Sequence, residues 1–184
     1  PMFPFHTWQP DTYTVAPSQG TMLLSGIMLK MGTYGVIRMI VPMFPAGIAN
    51  WGNTVIILSV IGVLYGSIIA IQQKDMKRLL AYSSFAHVGL MSAGMLTLSN
   101  EGIQGALYQM LSHGINIVGL FFIVEVIERR TQSRDLDQLG GITSASKVLS
   151  IGFIILSLGS VALPLTNGFV GEFLLLKSVF DYQL

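Results

Sequence analysis

The chain has 184 residues, of which 52% are hydrophobic and only 10% are charged, against about 25% charged in an ordinary soluble domain. So few charges cannot cover a water-facing surface, and a mean hydropathy of +0.65 agrees that the solvent is lipid. A formal net charge of +1 leaves no basic footprint for nucleic acid, and the lack of cysteine excludes disulfides, iron–sulfur clusters and thiolate zinc sites in this chain.

The first 17 residues, PMFPFHTWQPDTYTVAP, hold Pro1, Pro4, Pro10 and Pro17, too many for one continuous helix. Trp8 and Tyr13 suit a membrane–water interface. No basic n-region with a cleavage site precedes them, so no signal peptide is expected, and the chain reads as an internal piece of a longer membrane protein. Long apolar stretches then run from about Ser18 to Ile40, Thr54 to Ile71, Leu79 to Asn100 and Gly102 to Val124. Each matches the roughly 20 residues that cross a hydrocarbon core of about 30 Å. A fifth, Val148 to Phe180, has 33 residues, about 50 Å of straight helix and too long for one crossing. Its LPLTNG string, Leu163 to Gly168, interrupts it with Pro164 and Gly168. Two readings of that string stay open: a broken helix around a polar site, or a helix end and a surface loop. The expected fold class is all-α, a polytopic transmembrane helix bundle with discontinuous helices, forming a single transmembrane domain over residues 1–184.

Charge in the connections alternates. QQKDMKR carries Lys74, Lys77 and Arg78, and the stretch after the fourth crossing carries Arg129, Arg130, Arg134 and Lys147, whereas the connection around Ser99 to Glu101 has no basic residue. Basic connections on alternate turns lie on one side, which the positive-inside rule makes the cytoplasm or an organelle's matrix. These charges read as a solvated face. Gly26, Gly32, Gly35, Gly114 and Gly119 are expected to permit close helix contact.

Four groups inside the apolar stretches stand out. Lys30 lies 12 residues after Ser18 and 10 before Ile40, near the bilayer middle, where an ammonium costs about 2.5–3.5 kcal/mol on insertion scales. Snorkelling works from near a helix end, so a proton-handling role competes with a structural ion pair. His87 and His113 each lie 13 residues from residue 100, where the hairpin between their helices turns, so both imidazoles reach a similar depth. Imidazoles suit a proton relay near neutral pH; core histidines that only hydrogen-bond, and paired axial ligands of a b-type haem, are the rival readings. Glu172 follows the LPLTNG break by four residues and is intramembrane if that break is real. His6, in the proline-rich start, is ambiguous on composition. No phosphate loop, nucleotide fingerprint or nucleophile triad is present.

As a set, FPFHTWQPD, LLSGIMLKMGTYGVIR, KRLLAYSSFAHVGLM, GALYQMLSHG and NGFVGEFLLL resemble the antiporter-like membrane subunits of proton-translocating NADH–quinone oxidoreductase, respiratory complex I. Glu172 in GFVGEF points to their M-type branch (subunit 4 in mitochondria), since the L- and N-type relatives usually carry lysine there. The resemblance implies that Lys30, His87, His113, Glu172 and His6 are proton-relay residues: a mid-membrane lysine, two histidines on the relay axis, a terminal carboxylate and a histidine at a first helix break. It implies proton translocation coupled to NADH:quinone electron transfer in other subunits, with no cofactor or metal held by this chain. The implied partners are the complex's other membrane subunits, the lipid bilayer, and protons with ordered water as the transported species. The implied location is a bacterial inner membrane rather than the mitochondrial one. A subunit of a multi-subunit sodium/proton antiporter, or of a ferredoxin- or hydrogen-linked pump, is the alternative, and a passive scaffold with paired buried charges is another. Two departures from the pattern matter. The family often reads LPDAHVEAP where this chain reads QPDTYTVAP, so Tyr13 and Val15 replace a titratable His and Glu. The second break usually reads LPG, and here it is LPL.

Overall fold

The computed structural model describes residues 1–182, and among them every regular element is helical; Asp75 and Asp135 form an isolated antiparallel bridge and no strand is present. Helix α1, Trp8–Val15, begins within the proline-rich start because Pro10 falls in its first turn, where a missing N–H leaves no bond unmade. The interfacial reading of Tyr13 is corrected: the ring is only 1% exposed and packs edge-on against Phe121. Trp8 stays half exposed.

Helix α2 spans Ser18–Met43 as one 26-residue crossing. It widens into π turns at Leu24–Met28 and Val36–Ile40. The second of these precedes Pro42 and lets the helix run past Ile40, because a π turn relaxes the backbone spacing that proline's ring would otherwise invade. Helix α3, Pro45–Ile71, starts earlier than its uncharged run because Pro45 takes the first helical position. Helix α4, Met76–Leu96, is capped by Asp75, whose side chain accepts from the Arg78 N–H at 2.9 Å. Helix α5, Asn100–Thr131, is capped by Ser99, which accepts from the Gly102 N–H at 3.0 Å. It outruns its apolar stretch by two turns that carry Glu125, Glu128, Arg129 and Arg130. A 3-10 turn at Leu136–Gln138 and a single helical turn at Ile142–Ala145 follow.

The long fifth stretch divides into α6, Lys147–Ser160, and α7, Asn167–Phe180. Each has 14 residues, about 21 Å of helix, so neither crosses alone. Together they make one crossing broken between Val161 and Thr166. The helix is interrupted at LPLTNG, as either reading of that string expects. At the break, Ala162 (φ +55°) and Leu165 (φ +78°) both take the left-handed region, which costs a non-glycine residue about 1 kcal/mol or more.

The basic connections meet on one side. The Met76 N–H donates to the Arg134 carbonyl at 3.1 Å, and the Leu136 N–H to the Lys74 carbonyl at 2.9 Å. Lys74 pairs with Asp137 at 2.5 Å, which holds its ammonium above the usual lysine range, and Arg134 reaches Asp75 at 3.2 Å. Lys77 corrects the solvated-face reading: it is only 5% exposed and lies 3.3 Å from Glu128. On the opposite side Lys177 pairs with Glu101 at 2.6 Å.

Two apolar clusters sit at different depths. One, near the basic side, joins Tyr13, Leu80, Ala81, Phe121 and Val124. The other, toward the far side, joins Ile56, Met91, Ala106, Met110 and Leu175. Small residues set the contacts between them: Gly26 and Gly114 let α2 lie on α5, and a Cβ on Gly105 would come within 2.9 Å of Leu174 Cβ on α7. Gly119 likewise meets Leu156, whereas Gly32 and Gly35 have no neighbour within 4 Å and make no close contact. The Leu165 side chain is fully exposed, so its removal forfeits no packing while glycine relieves the left-handed strain. Leu165→Gly is expected to raise stability by about 0.5–1 kcal/mol, read as a higher midpoint of unfolding in detergent.

Candidate functional site

The polar band lies between the two apolar clusters and is built from α2, α4, α5 and α7. The first π turn of α2 prepares it. A π turn shifts backbone pairing from i→i+4 to i→i+5 and leaves carbonyls free of their usual partners. The Ser25 carbonyl, inside that turn, accepts from Lys30 Nζ at 2.5 Å. The ammonium is thereby folded back along its own helix into the bundle, where Lys30 is 9% exposed.

The second partner of Lys30 is His113 on α5, with Nζ 2.8 Å from Nδ1. An ammonium donating to a neutral imidazole and an amine accepting from an imidazole N–H share this geometry, so the bond serves either placement of the proton. Among the described residues no carboxylate lies within ion-pair distance of Lys30. The ring of His113 lies beside that of His87 on α4, centroids 5.0 Å apart and tilted by 56°. That spacing allows one water to bridge ring nitrogens and is too close to sandwich a haem macrocycle, so the haem reading does not fit. His87 Nδ1 lies 3.0 Å from Glu172 Oε1 on α7. The same carboxylate oxygen accepts from Gln109 Nε2 at 2.9 Å. Lys30, His113, His87 and Glu172 thus form a row of successive neighbours drawn from four helices.

His6 stands apart from this row. It stacks on Phe85 at a centroid distance of 4.4 Å, meets Tyr65 edge-on at 5.1 Å, and keeps a buried Nδ1 without a protein partner. The structure places it against α3 and α4, off the end of α1, with no contact to the four others.

Three further residues shape the site. Gln109, one turn before His113, holds Glu172; Asn116, one turn after, holds the break. Asn116 Nδ2 donates to Asn167 Oδ1 at 3.2 Å, and Asn167 Nδ2 donates back to Asn116 Oδ1 at 3.0 Å. This reciprocal amide pair ties the first residue of α7 to α5 at the depth of the row. Gly159 and Gly168 allow it, because a Cβ on Gly159 would lie 2.7 Å from Asn167 Oδ1. Sequence reasoning missed Gln109 and Asn116, although a signal existed: Gln109, His113 and Asn116 at i−4, i and i+3 fall on one face of an otherwise apolar helix.

The membrane-domain family described as "NADH:quinone oxidoreductase/Mrp antiporter, TM" matches residues 1–184. The chain is 45% identical over its whole length to NADH-quinone oxidoreductase subunit M of Rickettsia bellii, and spans 37% of that protein. It is 39% identical over 181 residues, 98% of the chain, to NADH-ubiquinone oxidoreductase chain 4 of Marchantia polymorpha, again 37% of that protein's length. Its backbone superposes with a TM-score of 0.94 on a chain of respiratory complex I from Thermus thermophilus, at 31% identity, covering all of this chain and 39% of that one. The chain therefore spans little more than a third of the relatives it matches.

The amide pair gives a measurable coupling. A double-mutant cycle on Asn116→Ala and Asn167→Ala is expected to return an interaction of about 0.6–1.7 kcal/mol, the range seen for hydrogen bonds between membrane helices. The measurement is the unfolding free energy of the four variants in a common detergent mixture.

Proposed function

The chain belongs to the NADH:quinone oxidoreductase/Mrp antiporter family of membrane domains, and on that premise we propose that it carries protons across the membrane along the row from Lys30 to Glu172. One observation supports this above the others: four titratable groups from four helices are consecutive neighbours inside an integral membrane protein. Lys30 is the proton carrier, bonded only to neutral acceptors. His113 and His87 pass the proton laterally, and Glu172 is the terminal acceptor beside the broken helix. The contact between Lys30 and His113 makes transfer a shift of one proton along an existing hydrogen bond. His6, held by aromatic rings away from the row, serves at most an approach to it.

The likeness to NADH-quinone oxidoreductase subunits supports coupling to electron transfer in other subunits, with NADH oxidised and quinone reduced elsewhere and no redox centre in this chain. The partners on this reading are the other membrane subunits and the surrounding lipid, and the location is a bacterial inner membrane. Moving one proton against 100 mV requires about 2.3 kcal/mol, so each transfer must be driven by a change arriving from outside the row. The Mrp antiporters in the family's description carry a second reading, sodium/proton exchange. Glu172 argues for the first: its hydrogen-bonded oxygen is committed to His87 and Gln109, a pairing suited to a proton and poor in the several oxygen ligands a metal cation requires.

Lys30→Ala, made in the full-length protein within its native membrane, is expected to leave assembly intact and cut proton translocation by about tenfold or more, since an intramembrane carrier has no substitute at that depth. The measurement is NADH-driven acidification of sealed vesicles by a pH-sensitive dye. An unchanged proton-to-electron ratio would remove Lys30 from the path, and sodium-dependent acidification would favour the exchange reading.

A further inference from the structure

Glu172 closes the row, and one of its oxygens serves two side chains at once. Oε1 lies 3.0 Å from His87 Nδ1 and accepts from Gln109 Nε2 at 2.9 Å. Among the described residues His87 is the one titratable group within ion-pair distance of Glu172. Gln109, on α5, is 3% exposed, and its own amide oxygen is buried without a partner. One end of this amide meets the carboxylate, and the other end meets no donor.

The two ends have a common cause. An ionised carboxylate only accepts hydrogen bonds, so the amide must turn its nitrogen toward Glu172. Its oxygen is then left without a donor, which is costly in a buried site. Protonation reverses the demand. A carboxylic acid carries an O–H that needs an acceptor, and the idle amide oxygen is an acceptor on the same side chain. A half turn about the last side-chain bond exchanges the amide nitrogen and oxygen at nearly the same places, and that torsion is broad and roughly two-fold. No neighbour has to move. Gly171 on α7 keeps the space for the far end of the amide: a Cβ there would lie 3.0 Å from Gln109 Cβ and overlap the amide oxygen outright.

We propose that Gln109 is a positioning residue for the last proton transfer, its amide turning over as Glu172 changes protonation state. The proton leaves Nδ1 of the His87 imidazolium and lands on Glu172 Oε1, and the imidazole becomes neutral. With the amide unturned, the new O–H faces an N–H. Among the described residues its acceptor is then His87 Nδ1, and the proton returns. With the amide turned, the O–H donates to Gln109 Oε1, and the neutral acid is held away from recombination. When Glu172 gives the proton up, the amide turns back. The place of this turn in transport rests on the proton-carrying reading above; the turn itself needs only that Glu172 titrates.

The test uses the full-length protein in its native assembly. Infrared difference spectra between an acidic and an alkaline pH report the hydrogen bonding of side-chain amide C=O groups. Gln109→Met removes both donor and acceptor at similar length, and Glu172→Gln removes the titration. A side-chain amide band is expected to shift with pH in the unaltered protein and to vanish from the difference spectrum in both variants; a glutamine with a purely structural role gives no such band. Proton translocation is expected to fall about three- to tenfold in Gln109→Met, the cost in rate of one lost hydrogen bond. Gly171→Ala leaves Gln109 in place but crowds its amide, and is expected to show the same two losses if Gln109→Met does not assemble. An amide band that ignores pH in the unaltered protein, a band that survives Glu172→Gln, or undiminished translocation in Gln109→Met overturns the proposal. If the unaltered protein moves no protons, the transport reading fails by itself; a band that moves with Glu172 then still supports the turn, and an unmoved band overturns it.

Discussion

A lysine buried in a membrane-spanning helix, with a carbonyl and an imidazole as its partners, is the constraint that organises this structure. Lys30 bonds to a backbone carbonyl and to an imidazole, and among the described residues it meets no carboxylate. A buried ion pair would fix the charge in place, since separating the partners in a low dielectric is expensive. A carbonyl and an imidazole solvate the charge without trapping it. The rest of the polar band follows from supplying such acceptors where lipid supplies none.

Two backbone irregularities do that work, and both depart from ideal helix at the depth of the row. The π turn in α2 releases the Ser25 carbonyl toward Lys30. The break between α6 and α7 brings Glu172 to His87 from the start of a new helix, with the Asn116–Asn167 pair holding the joint. Unwound backbone survives in a membrane only where protein or a water-filled cavity surrounds it; α5 covers one side of the joint, while Val161 and Leu165 stay exposed on the other. Leu165 shows that the joint is set by tertiary contact and not by local preference. A leucine holds the left-handed conformation that glycine would take unaided, in the position where the LPG pattern supplies one.

Much of this was legible in the sequence because the membrane simplifies the code. Uncharged runs of about 20 residues mark crossings, and basic connections mark a side. Lys30, His87, His113 and Glu172 were conspicuous as titratable groups in apolar runs. Helix ends were less legible. Pro10 read as a breaker, yet it sits in the first turn of α1, as Pro45 does in α3, and a neighbouring π turn accommodates Pro42. Tyr13 read as interfacial because an aromatic with a polar tip suits either an interface or a buried position. Periodicity does not separate the two; the neighbours Phe121 and Ala81 do. The separate position of His6 was illegible for a similar reason, since aromatic stacking on Phe85 and Tyr65 depends on helices that composition does not place together.

The family match and the geometry constrain different things. The match assigns the chain to a class of membrane domains found in both oxidoreductases and antiporters, and it extends over the whole chain. It does not say which ion moves. The side chains bear on that more directly. A row that begins with a potential cation and ends with a potential anion, joined by two imidazoles, has no position where several oxygens converge on one point. Every contact along it is a single hydrogen bond or a ring edge. On the proton-carrying reading such a row discriminates by mechanism: a species that can dissolve into hydrogen-bond exchange passes along it, and a cation that must keep its ligands does not. On that reading, selectivity for protons follows from the spacing of the row, with no filter required.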